Sequence, residues 1–189
     1  MPYVVNKPQP HPTRRTSDLL IGRQPIPGAR YFLTLCEVRG RPGLVDPNVA
    51  QELKHSLDRI HTSGDFSLVA ATVMPDHVHL LGILGQRLSL SRVVGKFKVD
   101  THRSFRSHAL AWQENYYDHR LRHEHEFEPF ARYEFLNPYR AGLIPLNDQW
   151  PSWWRWGDLR FEFEAMVAQS DGLPRSWLGE SDPEGAVDL

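Results

Sequence analysis

The chain has 189 residues, and its charge nearly cancels, with 22 Lys and Arg residues against 23 Asp and Glu residues. A chain of this length can bury the core of one ordinary domain, and its net charge of -1 argues against a generally basic nucleic-acid binder. No apolar stretch approaches the roughly 20 residues of a membrane helix. The polar start of the chain is unlike a signal peptide, and the single cysteine, Cys36, fits a reducing compartment. We therefore expect a cytoplasmic protein without a membrane partner.

Charge is segregated along the chain. Residues 1–30 carry a charge of +4 and residues 90–122 another +4, whereas residues 157–189 carry -6. The first 28 residues also contain six prolines, which is typical of an irregular segment. The sequence therefore predicts a basic N-terminal arm (1–28), a folded domain (29–157) and an acidic tail that we expect to be mobile (158–189).

Strands and helices alternate in the predicted folded domain. Runs of β-branched and aromatic residues predict the strands, and apolar residues at helical spacing predict the helices. Asp46-Pro47 indicates a helix start, because Asp is a good N-cap and Pro suits the first turn. The predicted elements are, in chain order, a strand at 31–38, a helix from 46–47 to 63–64, strands at 66–74 and 77–84, a helix at 90–107, a strand or extended segment at 112–122 and a helix at 124–136. This order favours an α+β fold, in which a ferredoxin-like antiparallel sheet (β-α-β-β-α-β) is followed by a further helix.

Two histidines stand at alternate positions at the start of the third predicted strand. Side chains of residues i and i+2 project from the same face of a strand, so His77 and His79 lie side by side just after a turn. Two neutral imidazoles at that separation can chelate one divalent cation. The alternative is a pair of solvated histidines at a strand end. A second pair, His123 and His125, falls at a helix start, where positions i and i+2 diverge, and is a weaker candidate.

A tyrosine and an asparagine share one face of the last predicted helix. Tyr133 and Asn137 are four residues apart, so a phenol and an amide oxygen can reach the same site, one as a nucleophile and the other as a neutral metal ligand. The alternative is a packed tyrosine and an asparagine that caps a helix ending at Asn137-Pro138. Pro129 is tolerated only in the first turn, so we expect the helix to begin near Glu128 or to kink there.

These motifs occur together with others in a fixed order. The run MPDHVHLL contains His77-Val78-His79, residues 112–122 read WQENYYDHRLR, Tyr133 is followed by Asn137-Pro138 and the run RAGL, and Trp150-Pro151 comes next. In this ordered set, which spans about residues 30–156, the sequence resembles the REP-associated tyrosine transposases, a group of the single-tyrosine HUH transposases. Each motif alone is unspecific, whereas the ordered set is specific.

The resemblance implies a concrete chemistry and makes the folded domain a catalytic domain. Members of that family fold as a ferredoxin-like sheet and cut single-stranded DNA beside the hairpins of repetitive extragenic palindromes. Tyr133 takes the position of their nucleophile, which forms a 5′-phosphotyrosine, and His77, His79 and Asn137 take the positions of the ligands of Mg²⁺ or Mn²⁺. The resemblance implies no nucleotide cofactor and a monomer. The sequence departs from the family at Glu134, where a hydrophobic residue is usual, and at Pro129 in the same helix.

Binding of single-stranded DNA is expected from a basic groove with aromatic side chains on which bases stack. For each basic residue alone, a solvated surface charge is the alternative. The candidate phosphate contacts are Arg14, Arg15, Arg92, Lys96, Lys98, Arg103, Arg106 and Arg122, and the candidate stacking platforms are Tyr116 and Tyr117.

Three other functions stay open as alternatives. A replication initiator or relaxase uses related chemistry, but the short chain and the single candidate nucleophile argue against it. The second alternative is a protein that binds hairpin DNA in the same way and has no cleavage activity. A zinc hydrolase is the weakest alternative, because no His-Glu-x-x-His motif occurs.

Overall fold

A computed structural model describes residues 26–123, 126–168, 172–183 and 186 of the chain. Its strands are β1 (Arg30–Cys36), β2 (Phe66–Val73), β3 (His77–Leu84), β4 (Tyr117–Leu121) and β5 (Trp153–Arg155). They form a five-stranded antiparallel sheet in the order β4-β1-β3-β2-β5. The predicted ferredoxin-like sheet is confirmed, and β5 extends it beside β2.

Two long helices cover one face of this sheet. They are α1 (Pro47–Ser63) and α2 (Leu90–Ser107). Asp46 caps α1 as predicted, since its carboxylate accepts N–H bonds from Asn48 and Val49. Gly64 ends the helix in the left-handed conformation, at a φ of 71°. The apolar stripes of both helices pack on alternate residues of the central strands and form a first core.

The opposite face of the sheet carries the helix α3 (Phe127–Arg140). Phe32 and Leu81 on this face pack with Phe130 and Leu136 of α3 in a second core. A short helix α4 (Glu162–Ala168) and a 3-10 turn at Arg175–Gly179 follow in the chain, and both contact α3. The sheet thus separates two cores. Among the described helices, none is long and apolar enough to span a membrane.

Helix α3 runs further than predicted, and the predicted end before Asn137 is wrong. The helix has Pro129 in its first turn, as expected, and continues through Pro138. Pro138 has no N–H for the carbonyl of Glu134 four residues earlier. The hydroxyl of Thr72 on β2 donates to that carbonyl instead, at 2.9 Å. A neighbouring strand thus supplies the hydrogen bond that proline removes, so the helix can continue.

The segments predicted as extended or mobile also differ in detail. Of the stretch at 112–122, only Tyr117–Leu121 is a strand. The described part of the tail at 158–189 contains α4, and it buries Phe163, Leu173 and Trp177 in the second core. These described tail residues are therefore part of the packed body. The N-terminal arm lies outside the described residues up to position 25.

Candidate active site

The two histidines of the predicted metal pair open β3 and face α3. In the register of the sheet, His77 lies opposite Cys36 and His79 lies opposite Thr34 of β1. The Nε2 atoms of the two imidazoles are 3.2 Å apart. His79 is fully buried, whereas His77 keeps 8% of its surface exposed. The structure therefore brings the two rings together, with His77 on the side nearer to solvent.

The other nitrogen of each ring is held by a neighbouring oxygen. Nδ1 of His77 lies 2.8 Å from a carboxylate oxygen of Asp76, and Nδ1 of His79 lies 2.9 Å from Oγ1 of Thr34. Outer partners of this kind orient metal-binding imidazoles in proteins. Burial, and then the neighbouring His77, hold the pKa of His79 well below its usual value. This ring is therefore neutral and keeps a nitrogen lone pair for a cation.

The spacing of the two Nε2 atoms fits a divalent cation. Two donors bound at about 2.1 Å lie about 3.0 Å apart in octahedral geometry and about 3.4 Å apart in tetrahedral geometry. The observed 3.2 Å lies between these values. In the described part of the chain, no three His, Cys, Asp or Glu side chains group as a metal site.

Tyr133 lies against the histidine pair from α3. Its ring centre is 5.5 Å from that of His79 and 5.8 Å from that of Phe32, in both cases edge to face. Asn137, one turn further along α3, donates from Nδ2 to the carbonyl oxygen of Tyr133 at 3.0 Å. This bond uses one of the two N–H donors of the amide, and Oδ1 of Asn137 is the acceptor that a metal ion can use.

His77, Tyr133 and Asn137 border one cavity of about 420 Å³. Asp76 and Arg140 also stand in its wall. The predicted nucleophile and two of the three predicted metal ligands thus meet at one opening, and His79 lies behind His77. A cavity of this size lies in the range of ordinary ligand sites, so it can admit a phosphate of a DNA strand.

Asp76 and Thr34 were not among the predicted site residues, and Glu134 was predicted only as a departure from the family. Asp76 directly precedes His77, and that adjacency is a usable signal. Thr34 is 45 positions from His79, so only the pairing of β1 with β3 shows the contact. Glu134 is fully buried, and neither of its carboxylate oxygens has a hydrogen-bond partner among the described residues. Burial raises the pKa of Glu134 well above its usual value.

The predicted DNA contacts on α2 do not converge on this cavity. Arg92, Arg103 and Arg106 are exposed, and α2 covers the sheet face opposite to α3. The Lys96 ammonium pairs with a buried Asp carboxylate at position 65, at 2.7 Å. Lys98 donates to the carbonyl oxygens of residues 113 and 114 at 2.7 and 2.9 Å. The two lysines therefore hold neighbouring parts of the fold.

The remaining predicted DNA contacts are scattered over the molecule. Arg14 and Arg15 lie outside the described residues. Arg122 is exposed just after β4, and Tyr116 packs against the first core. Tyr117 pairs with residue 34 of β1, so its side chain shares the α3 face with the histidine pair. Of the two candidate platforms, Tyr117 is therefore the one on the side of the cavity.

Two arginines that the sequence did not single out flank Tyr133 on α3. Arg132 pairs with Glu180 at 2.7 Å. Arg140 pairs with Asp182 and also donates to the carbonyl oxygen of Glu180 at 2.9 Å. The acidic C-terminal segment thus neutralises two cations beside Tyr133.

Comparisons with known proteins identify relatives of this chain. Residues 29–127 match the model of the family described as "Transposase IS200 like". The REP-associated tyrosine transposase of Escherichia coli (strain K12) is 25% identical over 128 residues, which cover 67% of this chain and 76% of that protein. A solved structure of a REP-associated tyrosine transposase bound to a REP hairpin superposes with a TM-score of 0.64, at 20% identity, over 88% of this chain and 96% of the other. At this identity the structural likeness shows a shared fold.

Proposed function

The chain belongs to the IS200-like transposase family, whose model covers just over half of its length, and we propose that it cleaves and rejoins single-stranded DNA beside hairpins through a 5′-phosphotyrosine on Tyr133. In this proposal residues 29–157 are the catalytic domain, and His77, His79 and Asn137 bind Mg²⁺ or Mn²⁺. The observation that carries the proposal is the pair of Nε2 atoms, 3.2 Å apart, next to the ring of Tyr133.

The proposed reaction exchanges one phosphodiester bond for another. The phenol oxygen of Tyr133 attacks the phosphorus, the bond to the 3′ oxygen breaks, and the phenol proton ends on that oxygen as a free 3′-OH. A second 3′-OH then attacks the phosphotyrosine, rejoins the strand and returns the proton to the phenol. Because bond energy is conserved in both steps, the reaction needs no nucleotide cofactor.

The side chains of the site contribute mainly by position. A phenol is a poor nucleophile at neutral pH, because its ordinary pKa is about 10. A bound divalent cation would stabilise the negative charge on the phosphate oxygens. Phe32 and His79 hold the ring of Tyr133 in one orientation, and Asp76 and Thr34 hold the imidazoles. Such fixed geometry lowers the activation barrier, because the reacting groups lose little further entropy when they reach the transition state.

The relatives support a hairpin as the DNA partner. The E. coli protein is named REP-associated, and the solved structure is of a complex with a REP hairpin. We propose that this chain, acting as a monomer, takes a hairpin with an adjoining single strand. Tyr117 and Arg122 are the proposed contacts at β4. Arg92, Arg103 and Arg106 can contact only DNA that reaches the α2 face.

Formation of a covalent adduct tests the proposed nucleophile. Labelled hairpin oligonucleotides with a single-stranded extension, incubated with the protein and Mn²⁺, should give a covalent protein–DNA band in a denaturing gel. Tyr133→Phe should abolish this band, because it removes the attacking oxygen and keeps the ring. The matched control is Tyr139→Phe on the same helix, which removes a hydroxyl that donates to the carbonyl of Asp148 and should keep the band.

The same assay separates the proposal from its alternatives. His77→Ala should lose the band and retain hairpin binding, because it removes a metal ligand and leaves the proposed DNA contacts in place. A wild-type protein that binds hairpins and never forms an adduct would instead be a hairpin-binding protein without cleavage activity. A band that persists in Tyr133→Phe would assign the nucleophile to another residue.

A further inference from the structure

The hydrogen-bond partners of the two imidazoles restrict where the protons of the neutral rings can lie. A neutral imidazole has one donor nitrogen and one acceptor nitrogen. Asp76 accepts from Nδ1 of His77 at 2.8 Å, and in the neutral form of His77 this makes Nε2 an acceptor. Nε2 of His79, at 3.2 Å, is then the donor in the contact between the rings. Nδ1 of His79 is consequently an acceptor, and the hydroxyl of Thr34 donates to it at 2.9 Å.

A metal ion requires the opposite arrangement at His79. Both Nε2 atoms must present a lone pair to the cation, so the proton of His79 must then lie on Nδ1. Thr34 must in that state accept a hydrogen bond from Nδ1. A hydroxyl can donate or accept, whereas a carboxylate or a carbonyl, the usual outer partners of metal-binding imidazoles, can only accept.

We propose that Thr34 is a positioning residue whose hydroxyl lets His79 exchange one neutral tautomer for the other when a divalent cation binds, while Asp76 holds His77 in a single tautomer. The exchange moves one proton net from Nε2 to Nδ1 of the same ring, by transient contact with solvent at the cavity, so neither the charge of the ring nor the number of protons in the site changes. Thr34 and His79 are 1% and 0% exposed, so the Thr34 hydroxyl, rather than bulk water, is the partner of Nδ1 in the folded protein. The inference rests on the metal site of the proposed function.

The tautomers are measurable by ¹⁵N–¹H NMR of the histidine side chains in the full-length protein. Without metal, His79 should carry its proton on Nε2 and His77 on Nδ1. With Zn²⁺ as a diamagnetic probe, both rings should be protonated at Nδ1. His77→Gln and His79→Gln assign the signals. The same tautomer of His79 with and without Zn²⁺ would overturn the proposal.

Metal affinity gives a second readout, measured with Mn²⁺ by electron paramagnetic resonance. Thr34→Val should weaken Mn²⁺ binding about ten- to a hundredfold, the usual cost of losing an outer partner, and Thr34→Ser should restore most of the affinity because it keeps the hydroxyl. Thr72→Val is the matched control. Thr72 pairs with His79 from β2 and is equally buried, but its hydroxyl bonds to the carbonyl of Glu134. Equal losses in both valine variants would contradict a specific role of Thr34.

Failure of this inference is distinguishable from failure of the metal site. If His77→Gln binds Mn²⁺ and Zn²⁺ as tightly as the wild type, the metal site of the proposed function is wrong, and the tautomer exchange falls with it. If binding requires His77 and the tautomer of His79 nevertheless stays the same, only the role of Thr34 is refuted.

Discussion

At the scale of single residues, two ionisable groups near the site are kept neutral by burial. Glu134 has no partner among the described residues for either carboxylate oxygen, so a charge there would be uncompensated. The fold therefore favours the protonated acid. Cys36, opposite His77 in the sheet, behaves in the same way, because burial raises the pKa of its thiol to about 12. As a thiol, Cys36 does not compete with the imidazoles for a cation.

Replacement of Glu134 by Gln should stabilise the protein increasingly as the pH rises. The pKa of Glu134 is higher in the folded state than in the unfolded state, so no penalty exists below the ordinary carboxyl pKa of about 4.3. Above that pH the wild type loses stability relative to the variant, by at most about 1.4 kcal/mol per pH unit, until the pH passes the folded-state pKa. Urea unfolding of both proteins between about pH 4 and pH 9 measures the difference. A difference that is constant over this range would contradict a buried neutral carboxyl group.

At the scale of elements, the site is assembled by strand register and by the seating of α3 on the sheet. The sequence predicted that His77 and His79 share a strand face and that Tyr133 and Asn137 share a helix face, because both periodicities are local. It did not predict the contacts of Thr34 and Thr72, since these depend on which strands are neighbours in space. The continuation of α3 through Pro138 depends on the second of these contacts, so no local rule reveals it.

A double-mutant cycle tests how α3 passes through Pro138. Thr72→Val should destabilise the protein by about 1–3 kcal/mol, because it leaves the buried carbonyl of Glu134 without a donor. In a Pro138→Ala background the same change should cost less, because the alanine N–H can bond that carbonyl along the helix. Free energies of unfolding of the four proteins give the coupling. Additive effects would mean that Thr72 does not replace the missing helical bond.

At the scale of the whole molecule, the sheet separates the cationic face from the cavity. The near-zero net charge conceals this division, and the charge pattern along the chain predicted the basic region but not the face on which it lies. Composition also predicted an acidic tail, yet Trp177 anchors its described part in the second core. That packing sets Glu180 and Asp182 against the arginines of α3, which only the folded structure shows.

Neutralising these two acids should strengthen the binding of single-stranded DNA. The double variant Glu180→Gln and Asp182→Asn releases Arg132 and Arg140 for phosphates and leaves the buried Trp177 in place. Affinity at low salt should rise, and the slope of log affinity against log salt should steepen by about 1.4 for two added phosphate contacts. Fluorescence anisotropy with a labelled oligonucleotide measures both quantities.

A control from the same acidic segment separates local release from a change in overall charge. Glu164→Gln also removes one negative charge, but its partner is Arg155 at 2.7 Å, on β5. This variant should leave the salt slope unchanged. Because Glu164→Gln removes half as many charges as the double variant, an effect half as large would indicate that only the net charge matters.

The hydrogen bond between Thr72 and the carbonyl of Glu134 has a consequence for how strands are exchanged. It ties α3 to β2 at the residue next to Tyr133. If Tyr133 carries a DNA 5′ end, this bond opposes a shift of the helix that would move that end away from where it was cut. The departing 3′ end must vacate the opening before a new one can arrive. The rate of strand exchange would then be limited by how quickly the first 3′ end dissociates and the second one binds.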